Sequence, residues 1–211
     1  MGIKLAIADD HMFIVDSIER TLSTTGYMEV SGKYQSGDEL IEGLKVSLPD
    51  ILILDYHFPE GNGGQVTRYV TYHYPDVKII ILTGFDKPGL AAELLECGCM
   101  GYLLKSTADT EVLIEAIERV YDGYIYIDKS LSGKFSNINR MQPVKEPILK
   151  LTKRELEILG EMAAGLSNPE IAEKLHISRR TVDNHRNSIM NKSGAKNTAS
   201  LIRLSIELRL I

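Results

Sequence analysis

Ile51-Leu52-Ile53-Leu54-Asp55 is the stretch that decides the fold. Four consecutive apolar residues leave no polar face for water, so they read as a strand covered on both sides. Asp55 stands where that strand ends. A carboxylate at the carboxyl end of a buried parallel strand lies beside the crevice where open α/β sheets bind ligands. The first apolar run, Ile3-Lys4-Leu5-Ala6-Ile7-Ala8, ends in the same way, in Asp9-Asp10. If the two strands are neighbours, three carboxylates converge. Like charges so close oppose ionisation unless a cation lies among them. Oxygen donors with room for water suit Mg²⁺.

Outward from this pair, apolar runs alternate with helical patterns, the signature of βαβ units. Strands are expected near 3–8, 28–34, 51–55, 77–82 and 100–104, and helices near 11–25, 37–47, 64–74, 87–97 and 108–121. Residues 1–127 therefore read as an α/β domain, a five-stranded parallel sheet wound doubly in the flavodoxin-like manner. Residues 128–149 read as a linker, because Ser130, Ser132, Gly133, Ser136, Asn137, Asn139, Pro143 and Pro147 break any sustained period. Residues 150–211 carry only helical patterns. Thr152 with Glu155 is a capping box that starts a helix at Lys153. Asn168 with Pro169 reads as the N-cap and first residue of a second helix. After the turn His176-Ile177, Ser178 caps a third helix, expected from Arg179 to about Ser193. Two helices joined so tightly form a helix-turn-helix. A last helix covers about 198–209, making this segment a small all-α domain.

The charge divides with the pattern. The whole chain carries −5, yet residues 1–127 hold 20 Asp and Glu against 9 Lys and Arg, while residues 128–211 hold 9 against 15. The first part is thus −11 and the second +6, which fits one part avoiding nucleic acid and the other approaching phosphate. No apolar run reaches the roughly 18 residues needed to cross a membrane. The chain opens directly on a strand and lacks a signal-peptide core, so the cytoplasm is the expected location. Cys97 and Cys99 are the only cysteines, one residue apart, and read as small buried side chains rather than a metal site.

Asp9-Asp10, Asp55, Pro59, Gly63, Thr83 at the end of the fourth strand and Lys105 after the fifth resemble, in order and spacing, the receiver domain of two-component response regulators. The resemblance implies that Asp55 takes a phosphoryl group from a histidine kinase. It implies that Mg²⁺ is held by Asp10 directly, by Asp9 through water, by Asp55, and by the backbone carbonyl of His57. Lys105 would pair with phosphoryl oxygens, Thr83 would donate to another, and Tyr102 would be the aromatic that turns inward when Thr83 engages. The His57 ring is expected to face solvent. Phe85 stands near the path of attacking water.

Leu151-Thr152, Arg154-Glu155, Gly165-Leu166-Ser167-Asn168, Glu170-Ile171-Ala172, Leu175, Ile177-Ser178, Thr181-Val182 and His185 resemble the LuxR-type helix-turn-helix of the NarL/FixJ class. The helix from Arg179 becomes the recognition candidate. Val182, Ile189 and Ser193 face inward, while Arg180, Asn184, Asn187 and Asn191 face outward. By the resemblance Asp183, Asn184 and Asn187 occupy positions that face bases. Asp183 would repel phosphate there, so it either accepts from cytosine or, the favoured expectation, holds Arg179 or Arg186. Arg186, Lys192 and Lys196 are the expected phosphate contacts. The last helix has two apolar stripes, Leu201-Leu204-Leu208 and Ile202-Ile206-Leu210. The second exceeds what one small core needs and is expected at a dimer interface.

The expectation is a phosphorylation-controlled transcription regulator, a homodimer on double-stranded DNA when active. A haloacid-dehalogenase-like phosphoryl-transfer enzyme wants a second aspartate two residues after its nucleophile, where this chain has His57. A constitutive DNA-binding protein with a receiver kept only for dimerisation would carry a damaged acidic site, and here every acidic position is filled.

Overall fold

A computed structural model describes residues 2–58, 61–132 and 151–211. The chain divides into two units, 1–146 and 147–211. In the first, the expected alternation is realised as β1 (Ile3–Ala8), α1 (Met12–Ser23), β2 (Met28–Tyr34), α2 (Gly37–Val46) and β3 (Ile51–Leu54). A short hairpin follows, β4 (His57–Phe58) and β5 (Gly61–Asn62). Then come α3 (Gly63–His73), β6 (Lys78–Thr83), α4 (Pro88–Glu96), β7 (Gly101–Leu104) and α5 (Thr110–Tyr121). The sheet is parallel and ordered β2-β1-β3-β6-β7, with a sixth strand at its edge, β8 (Tyr126–Ile127). That sixth strand corrects the expected five. It spans only two residues, too few to show a period in sequence.

The period of two along the strands sorts the core. Ile51 and Ile53 meet Val15, Ile18 and Leu22 of α1 and Ile117 and Val120 of α5 in one apolar cluster. Leu52 and Leu54 join Leu40 and Leu44 of α2, Val66 and Val70 of α3 and Leu94 of α4 in the cluster on the other face. The strand order reverses between β1 and β3, so the crevice opens where their carboxyl ends diverge. Cys97 and Cys99 are free and buried, as the sequence suggested.

The first unit runs past the expected boundary at 127. Asp128 is buried, α6 (Lys129–Ser132) follows it, and Leu131 lies fully buried among the apolar residues of the sheet. The rest of the expected linker, 133–149, lies outside the described residues.

The second unit holds α7 (Lys153–Ala163), α8 (Asn168–Lys174), α9 (Arg179–Ser193) and α10 (Thr198–Glu207). Ile158, Leu159, Ile171, Val182, Ile189 and Leu201 are fully buried and make its core. The predicted capping box closes α7: Thr152 N donates to Glu155 Oε2 (2.7 Å), and Glu155 N donates to Thr152 Oγ1 (3.3 Å). The α8 cap differs from expectation. Ser167, not Asn168, is the N-cap, with its N and Oγ donating to Glu170 Oε2 at 2.8 and 2.6 Å. Asn168 moves one place into the helix, which frees its amide for other work. Ser178 caps α9 as expected, its Oγ accepting from Thr181 N at 3.1 Å. Gly194 ends that helix at φ +64°, a conformation glycine adopts without strain.

Candidate functional site

Backbone ladders deliver the acidic residues to one place. Asp9 N donates to Tyr34 O (3.0 Å), and Asp55 N donates to Ala8 O (2.8 Å), so both aspartates extend adjacent strands by one paired residue. Lys105 N donates in the same way to Thr83 O (2.8 Å) at the end of β6. Asp9 and Asp55 keep only 3% and 4% of their surface exposed. Two buried carboxylates would be costly alone. Lys105 Nζ answers both, 2.7 Å from Asp9 Oδ2 and 2.8 Å from Asp55 Oδ2. Burial pulls the Lys105 pKa down, but the hydrogen bonds to Asp55 and Asp9 outweigh it, so the net direction is up and the ammonium stays charged.

Asp10 and His11 complete the cluster. His11 N donates to Asp9 Oδ1 (2.9 Å), and its Nδ1 lies 3.1 Å from the same oxygen. His11 Nδ1 also stands 2.7 Å from Asp10 Oδ1, but without hydrogen-bonding geometry, so that oxygen is buried and lacks a donor. A buried carboxylate oxygen without a donor asks for a cation. One ligand atom each from Asp9, Asp10, His11 and Asp55 lies within 4.8 Å of the others. The carboxylate oxygens fit Mg²⁺. His11 was not among the sequence candidates. Its signal was position alone: it follows Asp10 directly and caps α1.

Gly63 has a steric reason. Its N donates to Tyr56 O (2.6 Å), and a Cβ there would lie 2.7 Å from Tyr56 Cα and 2.9 Å from Asp55 O. Only glycine lets the start of α3 close on the loop that carries Asp55. Pro59, which belongs to the same motif, lies outside the described residues.

Thr83 and Tyr102 meet at one residue, Phe85. Thr83 is fully buried and its Oγ1 accepts from Phe85 N (3.2 Å), while Tyr102 OH donates to Phe85 O (2.8 Å). The Tyr102 ring is wholly buried, and burial pushes its hydroxyl pKa up to about 12, so it remains a donor. The His57 ring is exposed, as expected, and stacks on Phe85 with centroids 4.4 Å apart.

In the second unit, α9 presents Arg179, Arg180, Asn184, Asn187 and Asn191 outward, and Lys196 beyond the helix is exposed as well. Three of the expected DNA-facing residues also make contacts within the unit. Lys192 pairs with Glu155, its Nζ 2.7 and 2.9 Å from the carboxylate oxygens. Glu155 is 3% exposed and also accepts from Ser188 Oγ (2.7 Å), so Lys192, itself exposed, neutralises a core charge. Arg186 is half-buried and donates to Asn168 Oδ1 (2.6 Å) and Thr198 Oγ1 (3.3 Å). Asp183 accepts from the Asn168 amide, and neither Arg179 nor Arg186 takes that place. Asn168 thus bridges Asp183 and Arg186, a role the sequence reading missed because it assigned Asn168 to the cap. The proposed dimer stripe is also shortened. The helix ends at Glu207, Arg209 takes φ +51°, and Leu210 packs on the unit's own core. Ile202 is half-buried and Ile206 is 59% exposed.

Residues 5–118 match the family of response regulator receiver domains, and residues 149–205 match the luxR family of bacterial regulatory proteins. Oxygen regulatory protein NreC of Staphylococcus epidermidis is 37% identical over 216 aligned positions, covering 99% of each chain. NreC of Staphylococcus aureus is 35% identical with the same coverage. Among solved structures, RcsB dimers bound to two parallel DNAs superpose with a TM-score of 0.60 at 26% identity, over 99% of this chain and 100% of that one. RcsB of Salmonella enterica serovar Typhimurium, bound to promoter rprA in the presence of phosphomimetic BeF3⁻, gives 0.58 at 27%, over 96% and 98%. A receiver with an intact acidic cluster, joined to a LuxR-type helix-turn-helix, defines a response regulator that controls transcription rather than an enzyme. The chain belongs to the NarL/FixJ family of these regulators.

Proposed function

We propose that Asp55 is the phosphoacceptor and that its phosphorylation drives the chain to a DNA-bound homodimer. The observation that carries this reading is the Lys105 ammonium held between the buried Asp9 and Asp55 carboxylates. An Asp55 oxygen attacks the phosphorus of a phosphohistidine on a partner histidine kinase. The O–P bond forms, the N–P bond breaks, and the electron pair returns to the imidazole nitrogen. Asp9, Asp10, Asp55 and the His57 backbone carbonyl would hold Mg²⁺, which when bound offsets the carboxylate charge and polarises the phosphoryl oxygens. Lys105 exchanges carboxylate for phosphoryl oxygen and remains paired throughout.

Thr83 then turns its hydroxyl to a phosphoryl oxygen and gives up Phe85 N. Tyr102, already buried, holds the other side of the same residue through Phe85 O, so a shift of Phe85 is felt at both side chains. The exposed Arg179, Arg180 and Lys196 meet phosphates, and Asn184 and Asn187 read base edges. Asp183 and Arg186 support that face from within through Asn168. Ile202 and Ile206 offer α10 to a second copy, which places two recognition helices on half-sites about one turn apart. The likeness to RcsB, described as dimers bound to DNA, supports a DNA-bound homodimer. The place of action is the cytoplasm, where a kinase domain and DNA are both within reach. The proposed division is a receiver that extends past residue 127 through α6, a linker, and a DNA-binding domain from about residue 150.

The test is labelling by phosphoramidate with Mg²⁺. Wild type takes up one phosphoryl group. Asp55→Asn keeps its fold and takes up none. Equal labelling of that variant would place the acceptor elsewhere.

A further inference from the structure

Asp128 is a buried carboxylate that the phosphoryl-acceptor chemistry does not use. It keeps 3% of its surface exposed and follows β8, the strand that the sequence did not announce. Its N donates to Tyr102 O (2.8 Å). Oδ1 accepts from Ser130 N (2.9 Å) and Ser130 Oγ (2.6 Å), at the start of α6. Oδ2 accepts from Leu104 N (3.2 Å) and from the Thr107 hydroxyl. Burial opposes its charge, but the bonds from Ser130, Thr107 and Leu104 outweigh it, and the net direction of its pKa is down. The carboxylate is therefore ionised at neutral pH.

The division of donors is the informative part. One oxygen holds the chain that leaves the receiver. The other holds the loop after β7, at the two residues Leu104 and Thr107 that flank Lys105. Leu131, further along the departing chain, shares an apolar cluster with Tyr102. A buried charge loses these donors only at high cost, so its two sides move together.

We propose that Asp128 is a positioning residue that carries the state of Lys105 from the phosphorylation loop into α6, and so into the chain leading to the DNA-binding unit. Lys105 pairs with Asp9 and Asp55 in this state. When it turns to a phosphoryl oxygen, the 104–107 loop adjusts. Asp128 takes α6 with it, because Thr107 and Ser130 are bound to the same carboxylate. The inference rests on the reading that phosphorylated Asp55 raises DNA affinity.

Thr107→Val tests it in the full chain, since valine keeps the shape and removes the hydroxyl. Two quantities are read: phosphoryl uptake from phosphoramidate with Mg²⁺, and the ratio of DNA affinity with and without phosphorylation. The duplex is one selected from a random library by wild-type protein. Thr107→Val should take up phosphate at the wild-type rate, while its affinity ratio falls by about five-fold or more. Thr107→Ser should restore the ratio, and Asp128→Asn should lose it as Thr107→Val does. A purely structural role would lower affinity equally in both states and leave the ratio intact, which overturns the proposal. A wild-type ratio of one would instead overturn the underlying reading of phosphorylation control.

Discussion

Glu155 is the residue on which the second unit's acid stability turns. Burial works against its charge, but the hydrogen bonds from Lys192, Thr152 and Ser188 outweigh it and hold its pKa down to about 2, below the ordinary 4.5. A depressed carboxylate stabilises the fold above its unfolded pKa and loses that contribution as pH falls through the folded value. The window here runs from about pH 4.5 down to about pH 2, and the shift is worth about 3 kcal/mol at most. Glu155→Gln should therefore be less stable than wild type at pH 7, with the difference shrinking toward pH 2. All ten tyrosines precede residue 127, so tyrosine signals report the first unit only. Urea unfolding of the second unit is best followed by the methyl resonances of Val182 and Ile189. A constant difference across the pH range would remove Glu155 from this role. At the acidic site, Asp9→Asn with Asp10→Asn leaves one carboxylate of three. Mg²⁺ affinity by calorimetry should then fall by about ten-fold or more, and an unchanged affinity would put the metal elsewhere.

At the scale of elements, α9 divides into a face that reads and a face that is held. Asn184→Ala or Asn187→Ala should cost about 1–3 kcal/mol on the selected duplex and little on random DNA. Arg179→Ala should weaken both alike and reduce the salt slope by about one. Asn168→Ala should release Asp183 toward phosphate and weaken binding on every duplex, and adding Asp183→Asn should recover part of the loss. If that second change recovers nothing, Asn168 serves packing alone. These assignments also mark where sequence sufficed. The four apolar residues before Asp55 fixed β3 because no polar residue competes for either face. Ser178 fixed the start of α9 because a hydroxyl there has one obvious partner, Thr181 N. By contrast, the pair Lys192 with Glu155 joins α9 to α7, and no local pattern encodes a partner 37 residues away. Ser167 and Asn168 are both good caps, and only the position of Glu170 three residues after Ser167 separates them. In α10, periodicity placed Leu210 on the outer stripe, but the turn at Arg209 carries it back to the core.

For the whole molecule, an acidic receiver at −11 and a segment at +6 divide the work between phosphate transfer and phosphate recognition. Ile206 connects the two levels, since a monomer that binds one half-site gains most from a second copy. Ile206→Ala should leave the monomer folded and its affinity for a single half-site unchanged, while affinity for paired half-sites falls. Equal affinity of wild type and variant for paired half-sites would move the dimer contact off α10. The central claim is that Asp55 chemistry controls DNA binding, and one measurement meets it directly. Affinity for the selected paired duplex is titrated for wild type and Asp55→Asn, each with and without phosphoramidate and Mg²⁺. Wild type should bind more tightly after phosphorylation, and Asp55→Asn should bind identically under both conditions. An equal gain in affinity by Asp55→Asn, or no gain by a fully phosphorylated wild type, would contradict the account.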